Sequence, residues 1–282
     1  MKHKTILLSA LSMMSIILSS CGTTTFDNTK LVIGLECGYA PFNWSETTEN
    51  EYTLKVDNIP NLYCDGYDIQ IAKLLGEELG VEVHIMKTEW ESLVSDLQFG
   101  AINAIIAGMT DTEERRQSIS FTDEYYRSEL VLIAAKSIAD QYDHPLTSEE
   151  LSTIANGQVF VSQTSTVTDE VIDIFKENYG AIHATPLKSF ALAATDVSNG
   201  TAFAMTAELP VAQSIVASFN NLGIIHINQD ILGEKQAELG VSIGIQKGNT
   251  ELQSRINAAL NKITIEERTE MMRLAVERSS AL

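Results

Sequence analysis

Short apolar runs alternate with amphipathic stretches along almost the whole chain, and that rhythm restricts the fold more than any other feature of the sequence. "LVIGLE" precedes "DIQIAKLLGEELG", in which Ile69, Ile71, Ala72, Leu74, Leu75 and Leu79 recur at helical spacing. "VEVHIM", the helical "WESLVSDLQFG" and the apolar "AINAIIAG" follow. A second series begins at "ELVLIAAK" and continues through "QVFVSQ", "VTDEVIDIFKENYG", "SFALAATDVSNG", "TAFAMTA", "LPVAQSIVASF" and "GIIHIN". The chain closes with "GVSIGIQKG" and two helical stretches, 249–263 and 266–278. Strand and helix periods in alternation predict α/β units with mostly parallel sheets. The least patterned stretch, 45–61, is polar and reads as an exposed loop or hairpin tip.

The first twenty residues read as a leader rather than as part of the fold. Lys2, His3 and Lys4 start it, and an apolar or hydroxylic run follows that is too short for an ordinary membrane-spanning helix. It ends in "LSSC" and Gly22, which resembles a bacterial lipobox with Cys21 as the lipidated residue. Residues 21–30 are polar and short, a tether rather than a domain. About 260 residues remain, enough for a large core in two lobes. Without Lys2 and Lys4 the chain carries 17 Lys+Arg against 38 Asp+Glu, a net charge of −21. Such a chain repels nucleic acid and anionic membrane surfaces. Cys37 and Cys64 form a disulfide or stay free and buried; export permits the former.

The stretch "AGMTDTEERRQSISFTDEYY" concentrates the candidate chemistry. "AINAIIAG" is expected to be a buried strand, and ligands of α/β sheets sit at the carboxyl ends of strands. Ala107, Gly108 and Met109 would let a ligand approach the backbone there. "DTEER" is expected to start a helix, with Thr110/Glu113 or Asp111/Glu114 at capping-box spacing. Helix-start N–H groups favour an anion, Thr110 adds a hydroxyl, and Arg115 offers the two-pronged guanidinium that fits a carboxylate. By spacing alone, Arg115 could equally pair with Asp111 or Glu114 on a solvated helix start.

The same stretch resembles the Gly…Thr-Pro-Glu-Arg…Phe-Ser-Asp-Pro-Tyr segment of the amino-acid-binding proteins of ABC importers, solute-binding family 3. "GLECGYAPFNW", "DGYDIQIAKLLGEELG", "TEWESLVSDLQFGAINAIIAG", "SQTST" and "VSIGIQKGNTEL" resemble further family segments in order, covering residues 31 to about 262. The resemblance implies a two-lobed, periplasmic-binding-protein-like type II fold, each lobe a mostly parallel sheet flanked by helices, with two hinge strands between. Lobe I would comprise 31–127, lobe II 128–236, and 237–282 a return strand with lobe I helices. The resemblance makes Arg115 the clamp of a ligand carboxylate, helped by Thr110 and backbone N–H groups near Gly108. Tyr39 and Trp90 match the aromatics that sandwich the ligand; bulky aromatics otherwise pack cores. Ser165 and Thr166 match second-lobe residues that reach the carboxylate, although "QTSTVT" alone is a helix N-cap cluster. Glu208 stands where the family usually has an Asp for the ligand ammonium. Glu36 matches a position that touches the ligand side chain and would suit arginine, lysine, histidine or glutamine.

The function so implied is a lipid-anchored receptor on the outer face of the cell membrane. It would be a monomer that takes a free amino acid to an ABC permease, with no cofactor, no metal and no nucleic acid. A same-fold enzyme of cyclohexadienyl-dehydratase type, using Glu208 or Glu36, is the rival, and an amino-acid sensor is a third reading. "GVSIG" fits Gly-x-Ser-x-Gly, but strand-like "IGIQ" follows where a nucleophile elbow needs a helix, so Ser242 is rejected as a nucleophile. The scattered histidines and the cysteine spacing fit no metal site.

Overall fold

The computed structural model describes residues 29–280. The leader, Cys21 and most of the expected tether lie outside the described residues, so the fold neither supports nor opposes the lipobox reading.

The chain starts with β1 (Lys30–Leu35), β2 (Gly38–Tyr39), β3 (Asn43–Glu46), β4 (Leu54–Lys55) and β5 (Tyr63–Asp65). It continues with α1 (Tyr67–Leu79), β6 (Glu82–Lys87), α2 (Leu93–Gln98), β7 (Ala104–Ile105), α3 (Glu113–Ser118) and β8 (Ile119–Arg127). Helix α1 turns Ile69, Ile71, Ala72 and Leu75 inward and stops at Gly80, whose φ of 65° is the left-handed cap that glycine adopts without a Cβ penalty. The second half has β9 (Leu130–Ala135), α4 (Lys136–Ala139), α5 (Ser148–Ala155), β10 (Val159–Val161), α6 (Val167–Tyr179) and β11 (Ile182–His183). Then come α7 (Phe190–Ser198), β12 (Ala204–Glu208), α8 (Leu209–Ser218) and β13 (Leu222–His226). β14 (Gly240–Gln246), α9 (Thr250–Leu260) and α10 (Ile265–Ser279) close the chain.

Two five-stranded sheets organise two lobes, in the orders β6-β1-β7-β14-β8 and β11-β10-β12-β9-β13. Each is parallel across its first three strands, which crossover connections through helices join. Each becomes antiparallel where strands adjoining the crossings join it: β14 and β8 in the first sheet, β9 and β13 in the second. The sheets are therefore mixed, because a chain that leaves a lobe and returns brings strands back in the opposite sense. The crossings run from β8 to β9 and from β13 to β14.

A four-stranded sheet, β2-β3-β5-β4, caps the first lobe. The stretch 45–61 is thus largely tied down: β4 pairs with β5, and Val56 is fully buried and bridges Ile85. Strands of two residues are too short to show a period in sequence. Helix α10 packs against both α1 and α8, so it touches each lobe. The hydrophobic cluster is accordingly continuous from Tyr39, Phe42 and Met272 to Phe190, Val211 and Ile215.

Arg278, near the end of α10, fastens this helix to the small sheet. Its Nε and Nη2 meet Asp65 Oδ2 and Oδ1 at 2.9 and 3.0 Å, and its guanidinium lies 4.3 Å from the Tyr52 ring centroid. The Asp65 side chain is only 4% exposed, so removing the cation strands a buried carboxylate. Arg278→Ala should lower unfolding free energy by about 3 kcal/mol, read from urea denaturation at constant m-value.

Candidate functional site

Four strands of the two sheets deliver their carboxyl ends to one cleft. Glu36 follows β1, the 108–110 turn follows β7, residues 163–166 follow β10, and Glu208 ends β12. The walls close tightly on one another and leave a cavity of about 10 Å3, room for roughly one water molecule, so a ligand enters only when the lobes part.

The lobes bond to one another across it. The Tyr39 hydroxyl donates to Glu208 Oε2 at 2.5 Å. Gln163 Nε2 donates to both Glu36 oxygens, at 3.3 and 3.4 Å. Arg115 Nη2 and Trp90 Nε1 donate to the Ser165 carbonyl at 2.7 and 3.3 Å. Arg115 is further fixed by Nη1 on the Thr110 carbonyl at 2.7 Å and by stacking 5.2 Å from the Trp90 ring centroid.

Burial governs the electrostatics. Desolvation pushes the Glu36 carboxyl up to about 7, opposed by the Gln163 hydrogen bond and reinforced by Glu89. Glu208 is raised for the same first reason, with the Tyr39 hydrogen bond pulling against it. Burial, and then Glu208, hold Tyr39 far above its usual range. Desolvation lowers Arg115, while Glu170 and Glu114 act the other way; the guanidinium remains the fixed cation of the cleft. Once opened, a cleft with one guanidinium and two desolvated carboxyls carries the charges that would pair with a zwitterion bearing a further positive group.

The sequence matches the bacterial extracellular solute-binding proteins, family 3, over residues 31–273. The chain belongs to that family. Among its curated relatives, the arginine-binding extracellular protein ArtP of Bacillus subtilis is 27% identical over 137 residues, 47% of this chain and 48% of that one. The chain thus matches about half the length of that relative. The L-arginine-binding protein of Pseudomonas aeruginosa is 25% identical over 250 residues, 87% of each chain. In fold, the chain resembles the amino-acid ABC transporter substrate-binding protein AbpA of Streptococcus pneumoniae, solved bound to L-arginine. That match has a TM-score of 0.71 at 24% identity and covers 89% of this chain and 95% of that one.

Within this family member, the structure brings Glu36, Tyr39, Trp90, Gly108, Thr110 and Arg115 to one cavity, with Thr166 and Glu208 on its far wall. Tyr39 also packs as a core aromatic, its ring 5.2 Å from Phe42 and 4.9 Å from Phe190. Several details differ from the expectations. Helix α3 is capped by Thr112, whose side chain accepts the Arg115 N–H, so neither Thr110 nor Asp111 opens a capping box. Thr110 is instead extended and bridges Val241. The Gly108 N–H donates away from the cleft, to Tyr125 Oη at 2.9 Å, and is not free for a ligand. Ser165 stands beside the cavity at φ 60° and presents its carbonyl, not its hydroxyl, to Arg115. The Thr166 hydroxyl caps α6 by accepting from Asp169 N and donates to the Gln163 carbonyl at 2.7 Å.

Cys37 and Cys64 are both buried free thiols, so the disulfide alternative is not the one this structure takes. They are neighbours, and burial followed by the Cys37 contact pushes Cys64 well up. Gln163, Val167 and Phe190 line the cavity and were not picked out in sequence. Gln163 stands next to the "TST" that was, whereas Phe190 looks like an ordinary helix start. Ser242 lies inside β14, which continues to Gln246, consistent with its rejection as a nucleophile.

Tyr39→Phe removes the hydrogen bond to a buried carboxyl, a contact worth about 1.5–3 kcal/mol when charged. The ligand-free protein should then open, seen as an increased radius of gyration by small-angle X-ray scattering with the far-UV circular dichroism spectrum unchanged.

Proposed function

We propose that this protein is a receptor for a free L-amino acid with a cationic side chain, L-arginine first, and that it passes this ligand to an ABC permease. The observation that carries the reading is the charge layout of the closed cleft: Arg115 and a desolvated Glu36 on the wall of the first lobe, and a desolvated Glu208 on the wall of the second. Arg115 takes the ligand carboxylate, with the N-terminus of the thirteen-residue α6 facing it at Thr166 and Val167. Glu208 takes the ammonium in exchange for the Tyr39 hydroxyl, and Glu36 with Gln163 takes the distal group. Tyr39 and Trp90 flank the aliphatic part. The names of relatives that bind arginine support this assignment without deciding it.

Binding and closure are one equilibrium: the closed form is favoured in proportion to how much better it holds the ligand than the open form does. The receptor works as a monomer outside the cell, and its lipidated Cys21 holds it at the membrane. No described helix is long and apolar enough to cross one, and the family is extracellular. One observation favours an enzyme instead, since Glu36 near 7 could serve as a proton donor. Its bond to Gln163 suits ligand holding better. Turnover of a cyclohexadienyl acid to an aromatic product, followed by ultraviolet absorbance, would overturn the receptor reading.

Titration calorimetry with L-arginine should show binding by the wild type and at least a hundredfold loss in Arg115→Ala with the melting temperature nearly kept. The pH dependence has a definite sign. A cationic side chain binds ionised Glu36, so below about 7 a proton must first leave. Affinity should therefore fall as pH drops from 8 to 6, approaching about tenfold per unit below the midpoint. Glu36→Gln should reduce that slope. Separately, Cys21→Ala should move the protein from the membrane pellet to the soluble fraction; retention in the pellet would refute the lipid anchor.

A further inference from the structure

Behind the Gly108 turn, on the side away from the cleft, a run of hydrogen bonds ends on a carboxyl group that touches no ligand position. The Gly108 amide donates to Tyr125 Oη at 2.9 Å. That hydroxyl donates onward to Asp68 Oδ1 at 2.7 Å, and Asn43 Nδ2 donates to Oδ2 at 2.8 Å. Asp68, Tyr125 and Asn43 are all 0% exposed. Tyr67 packs flat on Tyr125, centroids 5.9 Å apart, and donates its hydroxyl to the Tyr125 carbonyl at 2.8 Å. The Asp68 backbone is itself held, its N–H on the Phe42 carbonyl at 2.8 Å.

We propose that Asp68 is a positioning residue for the ligand cleft: through the Tyr125 hydroxyl it holds the Gly108 amide, and with it the turn on which Tyr39 rests. Gly108 has a φ of 59°, which glycine adopts about as readily as a negative φ, so local preference alone does not fix this turn. A Cβ there would lie 2.8 Å from Tyr39 Cε1, so the turn and the ring are in direct contact. Tyr39 in turn makes the cross-lobe bond to Glu208. Any slackening of the Gly108 amide therefore reaches the bond that closes the lobes.

The strength of this hold depends on the charge of Asp68. Because the Tyr125 hydroxyl accepts from Gly108, its proton points at Asp68, and an ionised acceptor makes that bond about twice as strong as a neutral one. Charge on the carboxylate also polarises the hydroxyl and improves it as acceptor for the amide. A protonated Asp68 must place its own O–H; the unpartnered Oδ1 of Asn43 can take it if that amide turns over. Desolvation brings the Asp68 carboxyl to about 7, against the hydrogen bonds from Tyr125 and Asn43 and the nearby Gly108 amide. The titratable groups around it are Tyr39 on β2, Cys64 on β5, Tyr67 on α1 and Tyr125 on β8, and burial pushes each upward. Arg268 on α10 faces Tyr67, and Asp65 is paired with Arg278. Near neutral pH, Asp68 is the member of this cluster that changes charge, while Glu36 titrates on the cleft side of Tyr39.

The first test needs no ligand: follow the Gly108 amide resonance by 1H–15N NMR from pH 5.5 to 8.5. In the wild type it should titrate with a midpoint near 7. Asp68→Asn, whose amide can donate to Asn43 Oδ1, should remove most of that amplitude and leave only the part due to Glu36. An unchanged titration in Asp68→Asn would overturn the proposal. The second test rests on the receptor reading and uses L-arginine. The ratio of Kd between Asp68→Asn and wild type should be about tenfold at pH 8.5 and fall below about twofold at pH 5.5, where the native carboxyl is itself neutral. A ratio independent of pH marks a purely structural role and overturns it. A wild type that fails to bind L-arginine counts against the receptor reading, and the amide titration then decides this one alone. Should Asp68→Asn not fold, Tyr125→Phe carries the same test, the Gly108 titration falling to the part due to Glu36 if the relay exists and keeping its amplitude if it does not.

Discussion

The closed cleft turns on one contact, the hydrogen bond from Tyr39 to Glu208 between lobes that two chain crossings join among the described residues. Both partners are nearly out of solvent, Tyr39 at 6% and Glu208 at 8% exposed, so the bond works in a low dielectric where losing it is costly. The other cross-lobe contacts lean on it. Gln163 reaches Glu36 and Arg115 reaches Ser165 only while the walls stay at this separation. The acceptors are also informative. Arg115 spends one prong on a neutral carbonyl of the opposite lobe, an interaction that a ligand carboxylate would replace with a charged and stronger one. In the proposed receptor the site is therefore pre-arranged, with weaker acceptors standing where stronger ones would come.

Much of this was legible in the sequence, and the remainder was hidden for identifiable causes. The α/β rhythm foretold both sheets because buried strands and amphipathic helices have different periods, and "DIQIAKLLGEELG" became α1 almost residue for residue. The mixed sense of the sheets was hidden, since pairing direction follows from where the chain crosses between lobes rather than from local pattern. The small sheet escaped for want of length: Gly38–Tyr39 and Leu54–Lys55 are pairs, not periods. In the site, Arg115, Thr110, Tyr39 and Glu208 were found because resemblance preserved their order along the chain. Gln163 and Phe190 were not, because a buried glutamine and a helix-opening phenylalanine look like packing until the opposite lobe is placed against them. The Gly108 amide was misread for a related reason: which way an N–H points depends on Tyr125, seventeen residues later.

Three carboxyl groups, Glu36, Asp68 and Glu208, are held above their ordinary range, each with desolvation as the first cause. A raised carboxyl binds its proton more tightly in the folded than in the unfolded chain. Its contribution to stability is therefore full at acid pH and is lost as pH rises through the folded value. For Glu36 the window runs from 4.5 to about 7, and the loss is on the order of 3 kcal/mol before solvent screening. At neutral pH the closed cleft consequently carries an electrostatic load that an entering cation relieves.

That load bears on selectivity as well as on affinity. A ligand with a carboxylate side chain would meet Glu36, and could enter only by keeping the proton there and leaving Gln163 to satisfy two acceptors. A neutral amide could share Gln163 but would leave the desolvation of Glu36 uncompensated. A guanidinium or ammonium both compensates the charge and donates the hydrogen bonds, so in the proposed receptor the discrimination would come from burial rather than from shape. Had Glu36 been solvated, the same residues in the same places would bind more weakly and discriminate less, because water would screen the attraction and hydrate the wrong ligand equally well.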